Sequence, residues 1–400
     1  MMFSTTMKIE TESEKTLTVA QELDLLRVAY TKSPSRVFRR QLAKMLLLDD
    51  RFDEAIAILE DAEGLDYREE MLLAQAYLSR EQAIDNRRSR DAAERALALA
   101  ESDAERAAAL AARGKCEKRL GDIDGAKASL ALALLLDPHN KDACKRLAAI
   151  ALERGQTDNL LKLTDDLLTQ GTGHARLFGA RVLAYAQAGD IATAHRIDGF
   201  KQLHRKEQLP PPPGWDNIEQ FNAALAEELL AHPGMRYERY GSASELTWRV
   251  ENPARPDTPL FKALISGIIE KLGKHIAAVS SSGHPWAEAQ PDSAFLRNWC
   301  VITESTGFET WHVHQFGWLS GVYYVQVPES IANGTNRDGC LAFGLPDDLV
   351  GADVSAKYGE HLVRPQSGML MTFPSHAYHR TYPHGSGEKR ICVAFDLRPI

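Results

Sequence analysis

The sequence predicts an α+β protein of two domains: an all-α solenoid of helical repeats, then a double-sheet jelly roll (double-stranded β-helix) with flanking helices. Three observations carry this. Glycines recur at a fixed interval through the first half, at Gly121, Gly155 and Gly189. Four consecutive prolines, Pro210 to Pro213, interrupt the helical pattern. Beyond about residue 295 the apolar residues come in short β-type runs punctuated by Gly, Pro, Asn and Asp. A chain of 400 residues also exceeds what one ordinary core organises.

The elements follow in order. Residues 1–15 are polar, without the apolar core of an export signal, so a disordered lead-in and a cytoplasmic location are expected. Residues 16–208 are helical in pattern and repetitive. The glycines at 121, 155 and 189 are followed five residues later by Ala126, Leu160 and Ala194, and Ala92 extends the phase backwards. A period of about 34 residues built of helix-turn-helix units is the signature of tetratricopeptide repeats. One unit is complete: Gly114, Gly121, Ala126, Leu130, Ala133 and Pro138 occupy the small, turn, small, large, small and proline positions. Small residues let paired helices approach, glycine turns the corner, and proline ends the second helix. Four or five repeats are expected, and such an array stacks into a solenoid with a concave face. Residues 209–214, Leu-Pro-Pro-Pro-Pro-Gly, form a stiff extended linker that sets the domain boundary. In residues 215–400, helices are expected over 218–231 and 260–279, each with a single apolar stripe. Strands are expected at 298–304, 320–327, 339–343, 368–373 and 390–397. Many short strands framed by helices indicate the jelly roll.

Composition narrows the function. A hydrophobic fraction of 44% and a charged fraction of 26% are those of a globular protein. The net charge of −8 offers no electrostatic case for nucleic acid. No run approaches 18 apolar residues, so no membrane span is expected. The five cysteines show no paired spacing, and free thiols are the simpler account.

The chemistry lies in the second half. His312 and His314 stand at i and i+2 in Trp-His-Val-His, so a strand would present both on one face. Six of the thirteen histidines fall between residues 312 and 384. A third imidazole, His379 or its neighbour His376, would close a metal site. His361 and His384 are expected to face solvent, and Trp311 and Ser375 to pack or support. In the last strand Arg390, Cys392, Ala394 and Asp396 share a face by alternation, and the small Cys392 and Ala394 would leave room inside a barrel.

Trp311 to His314, the strand Leu319 to Val325, Pro365 to Gly368 leading into Phe373-Pro374-Ser375, His379, and the closing Lys389 to Leu397 together resemble the 2-oxoglutarate/Fe(II)-dependent oxygenase superfamily. The resemblance is to a bacterial group of oxygenases often fused to tetratricopeptide repeats, and it spans residues 214–400. It implies Fe(II) and 2-oxoglutarate as cofactors, His312, His314 and His379 as metal ligands, and Arg390 as the grip on the distal carboxylate of 2-oxoglutarate. Arginine suits that role because its planar fork makes two parallel hydrogen bonds to a carboxylate. Tyr323 or Tyr324 would add a hydroxyl to the same carboxylate, and sequence parity does not choose between them.

One departure stands out. The superfamily places Asp or Glu two residues after the first histidine, and this chain has His314. Either His314 ligates in a three-histidine face, or it turns away and water completes the site, or a carboxylate such as Asp396 or Glu309 substitutes. The first is expected, since i,i+2 geometry puts His314 beside His312. The implied activity is hydroxylation, or another oxidation, of a C–H bond, with O2 as the other co-substrate. A peptide or protein substrate recognised with help from the repeats is expected, as is a possible homodimer through the repeat domain. Two rival readings remain open at this point: a non-catalytic scaffold with a vestigial barrel, and a three-histidine metal dioxygenase that does not use 2-oxoglutarate.

Overall fold

The repeats and the β domain both form in the computed structural model of the chain, which describes residues 7–238 and 240–400. Its contacts divide into two compact units, Leu17–Arg154 and, as the other, the chain up to Thr16 together with Gly155–Ile400.

The unit Leu17–Arg154 is helical throughout: α1 (Val19–Lys32), α2 (Arg36–Leu48), α3 (Phe52–Glu60), α4 (Tyr67–Arg80), α5 (Asp85–Leu99), α6 (Asp103–Arg119), α7 (Ile123–Leu136) and α8 (Lys141–Glu153). Polar side chains cap most of these helices; Asp66 and Glu69 close a reciprocal capping box on α4, and Ser102 caps α6. Gly114 shows why the repeat needs a small residue. A Cβ there would meet Leu130 Cγ at 2.7 Å, because α6 and α7 approach closely. Gly121 turns between them at φ +86°, a conformation glycine adopts without strain. Alanines and leucines such as Leu42, Ala55, Leu59, Leu73 and Ala92 fill the interior.

The other unit continues the repeat pattern with α9 (Thr157–Thr169), α10 (Ala175–Gln187), α11 (Ile191–Asp198) and α12 (Phe200–Leu203), then adds α13 (Ile218–Leu230) and α14 (Pro259–Val279). Its strands are β1 (Lys8–Thr11), β2 (Arg205–Gln208), β3 (Arg236–Tyr237), β4 (Ser244–Glu251), β5 (Ser293–Glu309), β6 (Leu319–Gln326), β7 (Leu341–Phe343), β8 (His361–Val363), β9 (Met369–Pro374), β10 (His379–Thr381) and β11 (Arg390–Pro399). The larger sheet runs β2-β9-β6-β11-β5-β4-β3, with β1 added in parallel to β5; the smaller runs β10-β7-β8. Trp299, Val301, Met371 and Phe373 from the larger sheet meet Leu341, Phe343 and Val363 from the smaller in one apolar cluster. Two sheets closing on a shared interior are the double-stranded β-helix.

Three expectations are set beside the structure. The lead-in is ordered where it is described: Lys8–Thr11 pairs with Ser293–Leu296, and Glu12 accepts from the Asn298 backbone and from Arg297. The compact division falls at Gly155 and not at the prolines. The reason is packing: the Arg176 guanidinium donates to Gln315, His376 donates to the Ile197 carbonyl, and β2 extends the sheet beside β9 just before Leu209. The prolines therefore lie within one unit, where they border a groove with Ile218, Phe221, Leu264 and Tyr323. Finally, β1, β2, β3, β4, β8 and β10 were not expected; each is short or polar on most of its positions.

Candidate metal centre

His312 and His379 are brought together by backbone pairing. Each donates its amide to the other's carbonyl, at 3.0 and 3.1 Å, in an isolated antiparallel bridge. Directly opposed residues share a sheet face, and the two ring centroids stand 4.1 Å apart. His314 is held two residues on, its amide donating to the Ser375 carbonyl. One nitrogen from each of the three rings falls within 4.8 Å of the others.

The hydrogen bonds at the far side of each ring fix the tautomers. Nδ1 of His312 meets the Thr310 carbonyl at 2.8 Å, and Nδ1 of His379 meets the Ala377 carbonyl at 2.9 Å. Nδ1 of His314 meets Asp396 Oδ1 at 2.5 Å. A carbonyl accepts and never donates, so both Nδ1 atoms facing one carry protons; the carboxylate asks the same of His314. Burial pushes the His312 pKa down to about 4 and that of His379 well below its usual value, so these rings are neutral near pH 7. The Nε2 atoms of the three rings converge on one point, those of His312 and His314 3.2 Å apart. Such convergence is satisfied by a cation, and imidazole suits Fe as well as Zn, Cu and Ni. The residues fit a metal.

Asp396 is not in the ligand group. It stands behind His314, accepts from Ser320 Oγ at 2.8 Å and meets Arg398 at 3.3 Å. Burial works to raise its pKa, yet His314 and its other partners hold it below the usual carboxylate range. A carboxylate that orients a ligating imidazole and increases its basicity is a recurrent outer partner of metal sites. Ser375 supports the same chain through Ser320, 2.6 Å away. The sequence led to a packing or supporting place for Ser375 but did not assign Asp396 its role, although the alternation of the last strand already put Asp396 on the Arg390 face.

Arg390 is 2% exposed. Its Nη1 donates to the Gly339 carbonyl at 2.8 Å and Nη2 reaches Thr381 Oγ1 at 3.4 Å, while Nε is buried without a partner. Among the described residues no carboxylate pairs with it. A buried guanidinium lacking a counter-charge favours an anion beside it. Arg390 lines a cavity together with His314, His379, Glu309, Tyr324 and Thr381; Cys392 and Ala394 form its small-residue wall. Its enclosed void is about 40 Å³, room for one or two waters, so a dicarboxylic acid would enter only as lining side chains move.

The ladder resolves the tyrosines. Tyr324 pairs with Cys392 and Tyr323 with Val393, across a bulge at Ile391/Cys392. Tyr324 accordingly lines the cavity. Tyr323, the other candidate, lies on the opposite sheet face, outside that cavity, and donates to Asn222 of α13 at 2.8 Å. His376 is likewise removed from the cluster by its bond to Ile197. His384 does not face solvent; it is 6% exposed beside Thr303. His361 is half-buried and stacks on Phe200, with centroids 4.1 Å apart. Trp311 packs under the Arg380 guanidinium.

Comparison with known proteins agrees with this geometry. Residues 297–396 match the family described as "Putative 2OG-Fe(II) oxygenase". No curated protein matches the chain. Among solved structures, a prolyl-4-hydroxylase of Pseudomonas putida is 15% identical, with 51% of this chain and 96% of that one covered and a TM-score of 0.35. AviO1 of Streptomyces viridochromogenes is 16% identical, with 52% and 94% covered and a TM-score of 0.35. YrrB, described as a tetratricopeptide-repeat protein with an unusual peptide-binding site, is 18% identical, with 44% and 93% covered and a TM-score of 0.34. These are partial likenesses and carry no argument about activity. Among the described residues no helix is long and apolar enough to cross a membrane.

Proposed function

Taking as premise that residues 297–396 are similar to 2-oxoglutarate/Fe(II) oxygenases, we propose that the protein is a 2-oxoglutarate- and Fe(II)-dependent dioxygenase that hydroxylates a C–H bond. The observation that supports this most is a cluster of three converging imidazoles, two of which, His314 and His379, line one cavity with a buried arginine that lacks a carboxylate partner. The first would hold Fe(II) through His312, His314 and His379. The second would take the distal carboxylate of the acid, with Tyr324 beside it.

When bound, Fe(II) and 2-oxoglutarate supply the oxidation, consuming O2 and releasing succinate and carbon dioxide. The chain's own work is positional. Thr310, Ala377 and Asp396 fix the three ring orientations, and apolar Trp299, Val322, Leu341 and Phe373 keep water from the cavity. No side chain needs to act as a general base. The bridge between His312 and His379 and the His314 amide bond to Ser375 hold the geometry that such chemistry requires.

A peptide or protein is the favoured substrate class. A groove of about 710 Å³ within the Leu17–Arg154 unit, bordered by Leu59, Leu73, Tyr77, Arg88, Arg95 and Leu99, mixes apolar and charged side chains. An extended chain engages such a surface.

Anaerobic loading with Fe(II), with and without 2-oxoglutarate, tests the reading. A visible charge-transfer band is expected only when both are present, and it is lost in Arg390→Ala. A band that survives in His314→Ala removes that residue from the ligand set. Metal uptake with no response to 2-oxoglutarate, in wild type and Arg390→Ala alike, refutes use of this acid.

A further inference from the structure

Residues of β10 alternate between two faces. His379 and Thr381 turn to the cavity that Arg390 lines, so Arg380 between them turns to the outer face of the smaller sheet. The backbone bridge from His312 to His379 sets Trp311 across from Arg380 on that face. The Arg380 guanidinium lies over the Trp311 ring, 5.6 Å from its centroid, and over the Tyr382 ring at 4.6 Å. Both rings are held in place. A Cβ at Gly344 would meet Trp311 Cη2 at 3.0 Å, and the Tyr382 hydroxyl donates to Glu360 at 2.8 Å. Arg337, whose side chain is exposed, also lies over Tyr382, at 5.0 Å, and donates to its hydroxyl at 3.1 Å.

The two rings fix the plane of Arg380 and leave its edge open. Aromatic faces attract the cation without taking up its N–H groups. Among the described residues no carboxylate pairs with Arg380, and its Nε is buried without a hydrogen-bond partner. Glu360, the carboxylate of this face, is taken by Tyr382 and stands 4.0 Å from Arg337. Arg337 and Arg380 thus outnumber it, in a chain whose net charge is −8. A half-buried planar fork, held flat and unpaired, is preorganised for the two oxygens of a carboxylate.

We propose that this outer face is a docking site for an acidic segment of the peptide substrate, the Arg380 fork taking an Asp or Glu carboxylate and Arg337 a neighbouring one. The role rests on the peptide-substrate reading above, but binding at this face needs no metal. A remote anchor of this kind selects among peptides without touching the reacting bond. The overall charge of the chain opposes an acidic peptide at long range, so its capture reports a local site.

Fluorescein-labelled hexaglutamate is the probe, read by anisotropy on the purified, metal-free full chain at low salt. Wild type is expected to bind it at least tenfold more tightly than labelled hexaglutamine. Arg380→Gln is expected to weaken binding at least fivefold, and Arg380→Lys, which keeps the charge and loses the fork, several-fold. Arg154→Gln removes an equal charge from an exposed position in the other unit and is expected to change binding less than twofold. Thermal unfolding checks that the variants fold. If those at Arg380 do not, Arg337→Gln takes their place, with a several-fold loss expected. Three results overturn the proposal: hexaglutamate bound no more tightly than hexaglutamine, a loss in Arg380→Gln (or its replacement) no larger than in Arg154→Gln, or a phosphoserine peptide of matched charge bound more tightly than hexaglutamate. None of them involves the metal, so the Fe(II) reading stands or falls by its own test.

Discussion

Asp396 acts on the centre through one proton. Its bond to His314 Nδ1 decides which nitrogen of that ring is free and which way the ring points. Asp396→Asn removes the charge while keeping the shape, and Co(II) affinity is expected to fall about 10–100-fold, measured by titration. An unchanged affinity would mean that the Ser375 backbone bond alone fixes the ring. Among the ligand candidates, His312 and His314 were named from their i,i+2 spacing and His379 from its place in the motif, although His314 lies outside any strand. Asp396 and Glu309 were named only as stand-ins for a ligand. Where they stand, behind a ring or beside one, depends on side-chain reach across strands, which spacing along one strand does not specify.

At the scale of single elements, β6 is pressed between β9 and β11, and Gly321 marks the tightest point. A Cβ there would meet Phe395 Cζ at 2.4 Å and the Met371 carbonyl at 2.7 Å. Phe395 has some freedom to move, but the carbonyl belongs to the paired β9 backbone. Gly321→Ala is therefore expected to cost about 1–3 kcal/mol, read by urea denaturation of the metal-free protein, and a neutral result would show that the strands part easily. The same crowding explains what sequence could and could not deliver. The central strands were visible because both faces are buried and their residues are apolar. The marginal strands β1, β2 and β3 are exposed and charged, and nothing local distinguishes Lys8–Thr11 from a solvated tail. The choice between Tyr323 and Tyr324 hung on a bulge in the neighbouring strand, a property of the pairing and not of either tyrosine.

For the molecule as a whole, buried neutral histidines make stability depend on pH. His275 of α14 donates Nε2–H to the Leu203 carbonyl and accepts at Nδ1 from Thr372, and burial pushes its pKa down to about 4. Burial brings His376 to about 3. In the unfolded chain each imidazole titrates near 6.5. Above that value neither state holds the proton and the contribution is complete. As the pH falls from 6.5 towards 4, the unfolded chain takes up protons that the folded one refuses, and stability drops. Between pH 7.5 and 5.5 these two rings together are expected to cost roughly 2–3 kcal/mol, measured by denaturant titration of the metal-free protein. A flat profile would mean that water reaches both.

The compact division at Gly155 was not legible in sequence. Prolines break helices wherever they fall, but contacts made by Arg176 and Ile197 with residues more than a hundred positions away decide where a fold is divided.

That division has a consequence for how the protein is made. Lys8 lies against Ser293, so β1 leaves the ribosome about 285 residues before its partner does. At about 5–20 residues per second that is a wait of roughly 15–60 s, during which Leu17–Arg154 can fold alone as an insertion between the halves of its host. β1 is thus made long before it can be seated, and nascent chains halted before residue 293 should leave it open to protease.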